Sequence, residues 1–306
     1  MSGRAHILVI DAGGTFFKSG LIDEDGHVLN GSRISCPVDS DGEAENVRKV
    51  YHTVISRQME TASLQDAAVA AVGVDTPGPF DYKQGKSCMK HKFKALYGIP
   101  IRPWIEEATG GIPINFIHDS TAFVLGEYWK GKLQGNENGA GVMLGTGLGF
   151  AYMCDGVVQL NQQGGPKYSL YSQPFRNGKA EDYVSRRGIC RRYRERMPQS
   201  GLQLDVVDIA NLAKAGDQAA RETMEETGEM LGEILTPVLE TIACHQLVIG
   251  GQICKAYPYF SAPLEQILKN IGVERVAPSQ NPDNSHLLGC AYASFCVTGK
   301  GAVHDS

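Results

Sequence analysis

The stretch "ILVIDAGGTFFKSGLIDEDG", residues 7–26, sets an acid at the end of an apolar strand and follows it with two glycines and a threonine. A glycine pair lets the backbone adopt conformations and close approaches that a Cβ blocks, so the turn either closes a β-hairpin or cradles a ligand. Residues 139–160, "GAGVMLGTGLGFAYMCDGVVQL", repeat the pattern, with "GTGLG" in place of "AGGT" and "CDG" in place of "EDG". Each reads as a three-stranded meander, the first spanning residues 6–34, and each is followed by a helix and an apolar strand. The repetition points to an internal duplication.

Around these meanders the chain alternates helical and strand patterns. "GEAENVRKVYHTVISRQMETA" carries Val47, Val50, Val54, Ile55 and Met59 near a helical period, and "AAVAAVGVD" (67–75) is the next strand. A short helix led by Pro103 follows, then the strand "IPINFIHD" ending at Asp119, then a helix that Ser120 and Thr121 can cap. The second half offers "AEDYVSRRGICRRYRERM" as one helix, then "DVVDIANLAKAG", then a long helix with Met224, Leu231, Leu235, Val238 and Ile242 on one stripe and Pro237 inside it. The strand "QLVIGG", a helix, "VERVAP" and a closing helix complete the chain. The expected fold is α/β, with two related lobes at 1–118 and 119–283, a closing helix (284–306) that packs back on the first lobe, and a cleft between the lobes. Glycine turns facing such a cleft suit a polyphosphate held by backbone N–H groups, and a carboxylate beside them, Asp11, suits Mg²⁺ held through water.

Composition narrows the function classes. With 306 residues, 42% hydrophobic and 21% charged, the chain reads as a two-lobed globular protein. A formal net charge of -5 argues against a nucleic-acid partner. The eight cysteines are scattered without CxxC spacing, which suggests reduced thiols and a cytoplasmic protein. No apolar run approaches the ~20 residues that span a bilayer, and no signal-peptide core precedes the first strand, so no membrane partner is expected. "KQGKSCMKHKFK" concentrates Lys83, Lys86, Lys90, Lys92 and Lys94; it reads as a solvated loop, with a lip that attracts an anionic substrate as the alternative.

The motifs "DAGGT" (11–15), "GVDTPGPFD" (73–81), "HDSTAFVLGE" (118–127), "GTGLG" (145–149), "VIGGQI" (248–253) and "SHLLGCAYAS" (285–294), in this order along the chain, resemble the ROK family of sugar kinases and repressors. That family belongs to the actin, hexokinase and Hsp70 superfamily, so the resemblance implies two ribonuclease-H-like lobes. It also implies ATP-dependent phosphorylation of a sugar or sugar derivative, a small-molecule sugar partner and a homodimer. Asp11, Gly13, Gly14 and Thr15 resemble one phosphate loop, Gly145, Thr146 and Gly147 the other, and Gly250 and Gly251 the adenosine-binding turn; Lys18 is a secondary candidate in an outward or cleft position. Asp119 matches the catalytic base, a group the chemistry itself requires; its other reading is the N-cap of the following helix. The repressors carry a helix-turn-helix ahead of the first kinase strand, for which there is no room before residue 6, so a transcription factor is not expected.

The sequence also departs from the family pattern. His118 stands where Asn usually precedes the base, "NQQGGPKYSL" replaces a Glu-x-Gly-His motif, and "YSQPFRNGKAED" has none of the cysteines or histidine of the zinc loop. Zinc is therefore not expected, and packing and turn hydrogen bonds must hold that loop. Glu181 matches a sugar-binding glutamate, or else is an acid in the first turn of a helix. The candidate sugar contacts are Gly78, His118, Asp119, Lys167 and Glu181, joined by Gln162, Gln163 and Tyr168; His118 has the second reading of a histidine that orients Asp119. Exchanged polar contacts imply a substrate other than glucose bound in the usual manner, with an acidic or phosphorylated sugar within range. A non-catalytic sugar or nucleotide sensor, or another ATPase of the superfamily, is the alternative.

Overall fold

A computed structural model describes residues 4–90, 92–198 and 203–299. The chain divides into two compact units, one formed by the residues up to Lys130, Leu160–Pro166 and the chain from Asn284 onward, the other by Gly131–Gln159 and Lys167–Asp283.

Unit 1 runs β1 (Ala5–Ala12), β2 (Phe16–Asp23), β3 (Ile34–Pro37), α1 (Ala44–Leu64), β4 (Ala68–Thr76), the short strands β5 (Phe80–Asp81) and β6 (Lys86–Ser87), α2 (Arg102–Thr109), β7 (Ile114–His118) and α3 (Asp119–Lys130). Its five-stranded sheet has the order β3-β2-β1-β4-β7. The first three strands form the antiparallel meander, and β4 and β7 add parallel to β1. The run "ILVI" in β1 is buried on both faces, which is why it reads as a continuous apolar stretch. Leu8 and Ile10 share one core with Val54 and Ile55 of α1.

Unit 2 runs β8 (Gly139–Leu144), β9 (Leu148–Cys154), β10 (Val157–Val158), the hairpin β11 (Pro174–Phe175) and β12 (Gly178–Lys179), α4 (Glu181–Val184), α5 (Arg186–Arg196), α6 (Val206–Ala215), α7 (Gln218–Thr241), β13 (Gln246–Gly250), α8 (Ser261–Lys269) and β14 (Arg275–Pro278). Its sheet order, β10-β9-β8-β13-β14, reproduces that of unit 1, with the same antiparallel meander and two parallel additions. Met224, Leu231, Leu235 and Val238 of α7 are buried as the stripe predicts, and Pro237 lies within the helix.

The last helix, α9 (Ser285–Val297), packs against α3, β1, β4 and β7 of unit 1. A Cβ at Gly126 would collide with the carbonyl of Ser285, and one at Gly289 with that of Ala122, so the glycines of "STAFVLGE" and "SHLLGCAYAS" let α3 and α9 touch backbone to backbone. Ser285 Oγ donates to the buried Glu127 Oε1 at 2.6 Å across the same seam.

The structure differs from the sequence reading in several places. α3 belongs to unit 1 through this seam, so the units divide after Lys130 rather than at 118/119. Residues 300–306 of the expected closing segment lie outside the described residues. The third strand of the first meander is β3 at 34–37, because Gly26 and Gly31 take left-handed φ angles of 82° and 75° and turn the chain, leaving a single bridge between Ile22 and Val28. "AEDYVSRRGICRRYRERM" is two helices, broken where Ser185 takes an extended ψ of 169°. The segment after "VIGG" is a 3₁₀ helix over Gln252–Tyr259. Among the described residues, no helix is long and apolar enough to cross a membrane, and the cysteines are free thiols.

Candidate functional site

The strand ends of unit 1 gather a set of ionisable side chains. Asp11 in β1 stands directly opposite Asp75 in β4 in the parallel register, and the carbon backbone at Gly73 in β4 lies against Cys290 and Ser294, so this face of the sheet is the one α9 covers. Asp75 is 0% exposed, and neither of its carboxylate oxygens has a hydrogen-bond partner. Burial, together with the like charges of Asp11 and Asp119, pushes the Asp75 carboxyl well above its ordinary range. His286, at the start of α9, reaches back with Nε2 to 3.4 Å from Asp11 Oδ2.

The β7–α3 junction presents the base candidate. Asp119 opens α3, and its Oδ1 accepts the Ser120 N–H at 2.6 Å and lies 2.7 Å from His118 Nδ1. Asp119 is the first residue inside α3 and accepts from the N–H of the very next residue, so it is not the N-cap expected of it, and Ser120 and Thr121 also lie within the helix; the Asp119 side chain remains 37% exposed and reachable. Desolvation acts to raise its carboxyl, but His118, as both a cation and a hydrogen-bond donor, the Ser120 N–H and His286 outweigh it and hold the group at about 2. His118 Nδ1 also lies 2.8 Å from Ser120 Oγ, while the His118 ring packs edge-on to Tyr82 at 5.8 Å. His118 Nδ1 is thus in contact with both Asp119 and Ser120. Gly78 leaves the room this needs, since a Cβ there would come within 3.3 Å of both the His118 ring and the Tyr82 hydroxyl.

The "DAGGT" turn closes this group. A Cβ at Gly13 would lie 2.7 Å from the Phe16 carbonyl, so the turn is tight enough to require glycine. Gly14 is overlain by Lys92, whose Nζ would be 2.8 Å from a Cβ there. Burial lowers the Lys92 ammonium, and Asp119 and Asp11 act in the opposite sense. Thr15 is exposed, and its carbonyl accepts the Val38 N–H at 2.9 Å. Lys18 pairs directly across from Asp11 in the β1–β2 register, which puts both side chains on one face of the sheet.

Unit 2 carries the second set. In the β8–β9 turn the Gly145 N–H donates to the Gly147 carbonyl at 3.1 Å, and the Gly145 carbonyl accepts from Arg186 N–H at 2.9 Å, a bond made available by the helix break at Ser185. Glu181 Oε2 accepts the Leu148 N–H at 3.3 Å and would be 2.7 Å from a Cβ at Gly147. The Glu181 carboxylate thus lies against the "GTGLG" turn, beside Thr146, as well as standing in the first turn of α4. Gly250 ends β13, and Gly251 follows at φ 75°, where a Cβ would collide with the Leu144 carbonyl. Lys167 is exposed, and Tyr168 stacks on Tyr152 at 5.7 Å instead of standing free. Gln162 and Gln163 fall in unit 1, where the Gln163 carbonyl accepts the Tyr82 N–H at 2.8 Å. The segment "YSQPFRNGKAED" contains the β11–β12 hairpin, held by Phe175 edge-on to Tyr183 at 5.3 Å, by Arg176 over the Tyr183 ring and by the Ala180 N–H to Gln173 carbonyl bond at 2.8 Å.

Two members of the unit 1 set, Asp75 and His286, are not among the candidates the sequence offers, and Lys92 is offered only as one of a lysine-rich loop. Asp75 sits within the quoted "GVDTPGPFD", and its signal was an acid at the end of the apolar run "AVAAVGV". His286 lies within "SHLLGCAYAS" with no local signal beyond being a polar residue in an apolar helix. Lys92 was one lysine among several; Lys83, Lys90 and Lys94 are exposed, as a solvated loop requires, and Lys92 is the one turned onto the glycine turn.

The chain is similar to known proteins over almost its whole length. The family model described as "ROK family" matches residues 7–166 and 175–293. The chain is 22% identical to a glucokinase of Thermotoga maritima, over 94% of this chain and 96% of that one. It is 26% identical to a beta-glucoside kinase of Klebsiella pneumoniae, over 94% and 95%. A solved ROK family glucokinase from Streptomyces griseus, in complex with glucose and AMPPNP, superposes with a TM-score of 0.73 at 20% identity, covering 95% of this chain and 99% of that one. The two sheets of like order are thus those of the actin-like ATPase fold, and the chain belongs to the ROK family.

Proposed function

We propose that this protein transfers the γ-phosphoryl group of ATP to a hydroxyl of a sugar or sugar derivative, with Asp119 as the general base. The observation that carries the reading is the state of Asp119: a reachable carboxylate kept ionised by His118, in the same unit as the "DAGGT" turn and Asp11. An ionised carboxylate at the end of a strand can accept the proton of an attacking hydroxyl, and its position at the N-terminus of α3 is fixed by two residues on either side, His118 and Ser120. Relatives that phosphorylate glucose or β-glucosides support the reaction class, and their different acceptors leave the sugar itself to be measured.

In this reading Gly13 and Gly14 bring backbone N–H groups to the phosphates, and Lys92 adds a positive charge at the same turn. Asp11, a part-buried carboxylate at the end of β1, fits Mg²⁺ held through water. Mg²⁺ bound with ATP neutralises charge on the phosphoryl oxygens as transfer proceeds. Gly145, Thr146, Gly147, Gly250 and Gly251 serve the nucleotide; Gly78 and His118 line the sugar side with Asp119; Glu181 and Lys167 complete the sugar contacts. The loop over residues 174–179 works without zinc, and the protein acts in the cytoplasm as a homodimer.

The test is ADP release with Mg-ATP across hexoses, pentoses, amino sugars and sugar acids. Turnover that depends on one class of acceptor is expected, with plain glucose a poor one. ATP turnover indifferent to every acceptor would reject the reading.

A further inference from the structure

We propose that Asp11, Asp75 and His286 form a site for a divalent transition-metal cation, held by the chain's own side chains whether or not a nucleotide is present. The three offer one ligand atom each, and those atoms all lie within 4.8 Å of one another. His286 Nε2 and Asp11 Oδ2 are 3.4 Å apart. Donors at about 2.1 Å from a zinc-sized ion are separated by roughly 3 to 4 Å, so the His286–Asp11 pair is already in range and the set closes around one ion with side-chain shifts of up to about 1 Å.

The second observation is Asp75 itself. It is 0% exposed, both of its oxygens lack partners, and it faces another carboxylate across the strand pair. A buried carboxyl ordinarily satisfies its oxygens with hydrogen bonds or a cation, and among the described residues neither oxygen of Asp75 has a hydrogen-bond partner, although the Tyr82 hydroxyl and the Cys290 thiol feel its charge. The ring of His286 is also short of a partner at Nδ1. A cation between these three groups would satisfy both Asp75 and the Asp11–Asp75 opposition at once.

The ligand chemistry selects the ion. Mg²⁺ and Ca²⁺ take oxygen ligands, whereas one imidazole with two carboxylates suits Mn²⁺, Fe²⁺, Co²⁺ or Zn²⁺. The site is therefore distinct from a water-mediated Mg²⁺ contact of Asp11 alone, and its existence does not rest on the phosphoryl-transfer reading. Asp23, Asp25 and His27 form a second such cluster, but Arg4 bridges both of its carboxylates and already supplies the counter-charge.

The experiment is a titration of the full, nucleotide-free chain with Mn²⁺, followed by loss of the free-ion electron paramagnetic resonance signal, with excess Mg²⁺ as competitor. The expected result is one Mn²⁺ per chain retained against Mg²⁺. His286→Gln and Asp75→Asn should each weaken it at least ~10-fold, and His27→Gln should leave it unchanged. Circular dichroism checks that the variants fold, and His286→Gln alone decides the matter if Asp75→Asn does not. No Mn²⁺ on the folded protein, equal binding in both site variants, or binding lost with His27→Gln would overturn the proposal. Mn²⁺ held only after ATP is added would overturn it too, while leaving phosphoryl transfer standing.

Discussion

The two units are built on the same sheet and use it differently. In unit 1, Asp11, Asp75 and Asp119 stand at or beside the ends of β1, β4 and β7; in unit 2 the corresponding strands β8, β13 and β14 end on Leu144, Gly250 and Pro278. The duplicated frame places a glycine turn after the first strand of each meander, but only the first unit loads its parallel strand ends with acids. One copy carries groups that can move a proton and hold a cation. The other ends the corresponding strands on Leu144, Gly250 and Pro278, none of which can ionise.

That contrast can be broken most severely at Asp119. Asp119→Asn should lower kcat by about 10²- to 10⁴-fold, the range general-base catalysis covers, while nucleotide binding measured by calorimetry stays within a few-fold. Ser279, just past β14 in unit 2, should tolerate alanine with little change in kcat. Next in size is Gly251→Ala, which combines a left-handed φ with a collision at the Leu144 carbonyl and should cost on the order of 1–3 kcal/mol in a denaturant melt. Gly145→Ala is its control: no atom lies within 4 Å of a Cβ there, so stability should hold within ~0.5 kcal/mol. If Gly145→Ala also unfolds the protein, the two glycine positions do not differ as described.

Smaller effects sharpen the account of unit 1. Lys92→Met removes the charge over Gly14 and should reduce kcat/KM for ATP by ~10-fold without lowering the melting temperature, an outcome a merely solvated lysine would not produce. The smallest is a matter of pH. With its carboxyl held at about 2, Asp119 stays ionised throughout the neutral range, and the stability it contributes is present above its unfolded value near ~4 and lost as pH falls through about 2. His118→Gln removes the partner that opposes desolvation, so the acid limb of kcat/KM that Asp119 governs should move to higher pH; an unmoved limb would separate His118 from Asp119.

What the sequence disclosed follows from how local each feature is. The meanders were legible because hairpins join neighbouring strands and their turns demand glycine, so "DAGGT" and "GTGLG" announce themselves. Asp119 was legible as a polar residue between an apolar strand and a helix. Asp75 was not, because its meaning depends on standing opposite Asp11, a parallel pairing of strands with a whole helix between them in sequence. His286 needed the packing of α9 on β1 and β4, and Lys92 needed the fold of one loop onto the glycine turn. The break at Ser185 has only weak local signals, a β-branched Val184 before it and Gly188 after it. It becomes intelligible only once the Arg186 N–H is seen bonded to Gly145.

The central claim is that Asp119 takes the proton of an acceptor hydroxyl as phosphate is transferred to it. The most direct measurement is phosphorylated sugar formed per ATP consumed, followed by phosphorus magnetic resonance with the best acceptor, for the wild type and for Asp119→Asn side by side. The account predicts one sugar phosphate for each ADP in the wild type and a near-complete loss in the variant. Release of free phosphate with no phosphorylated sugar, or undiminished sugar phosphate from Asp119→Asn, would contradict it.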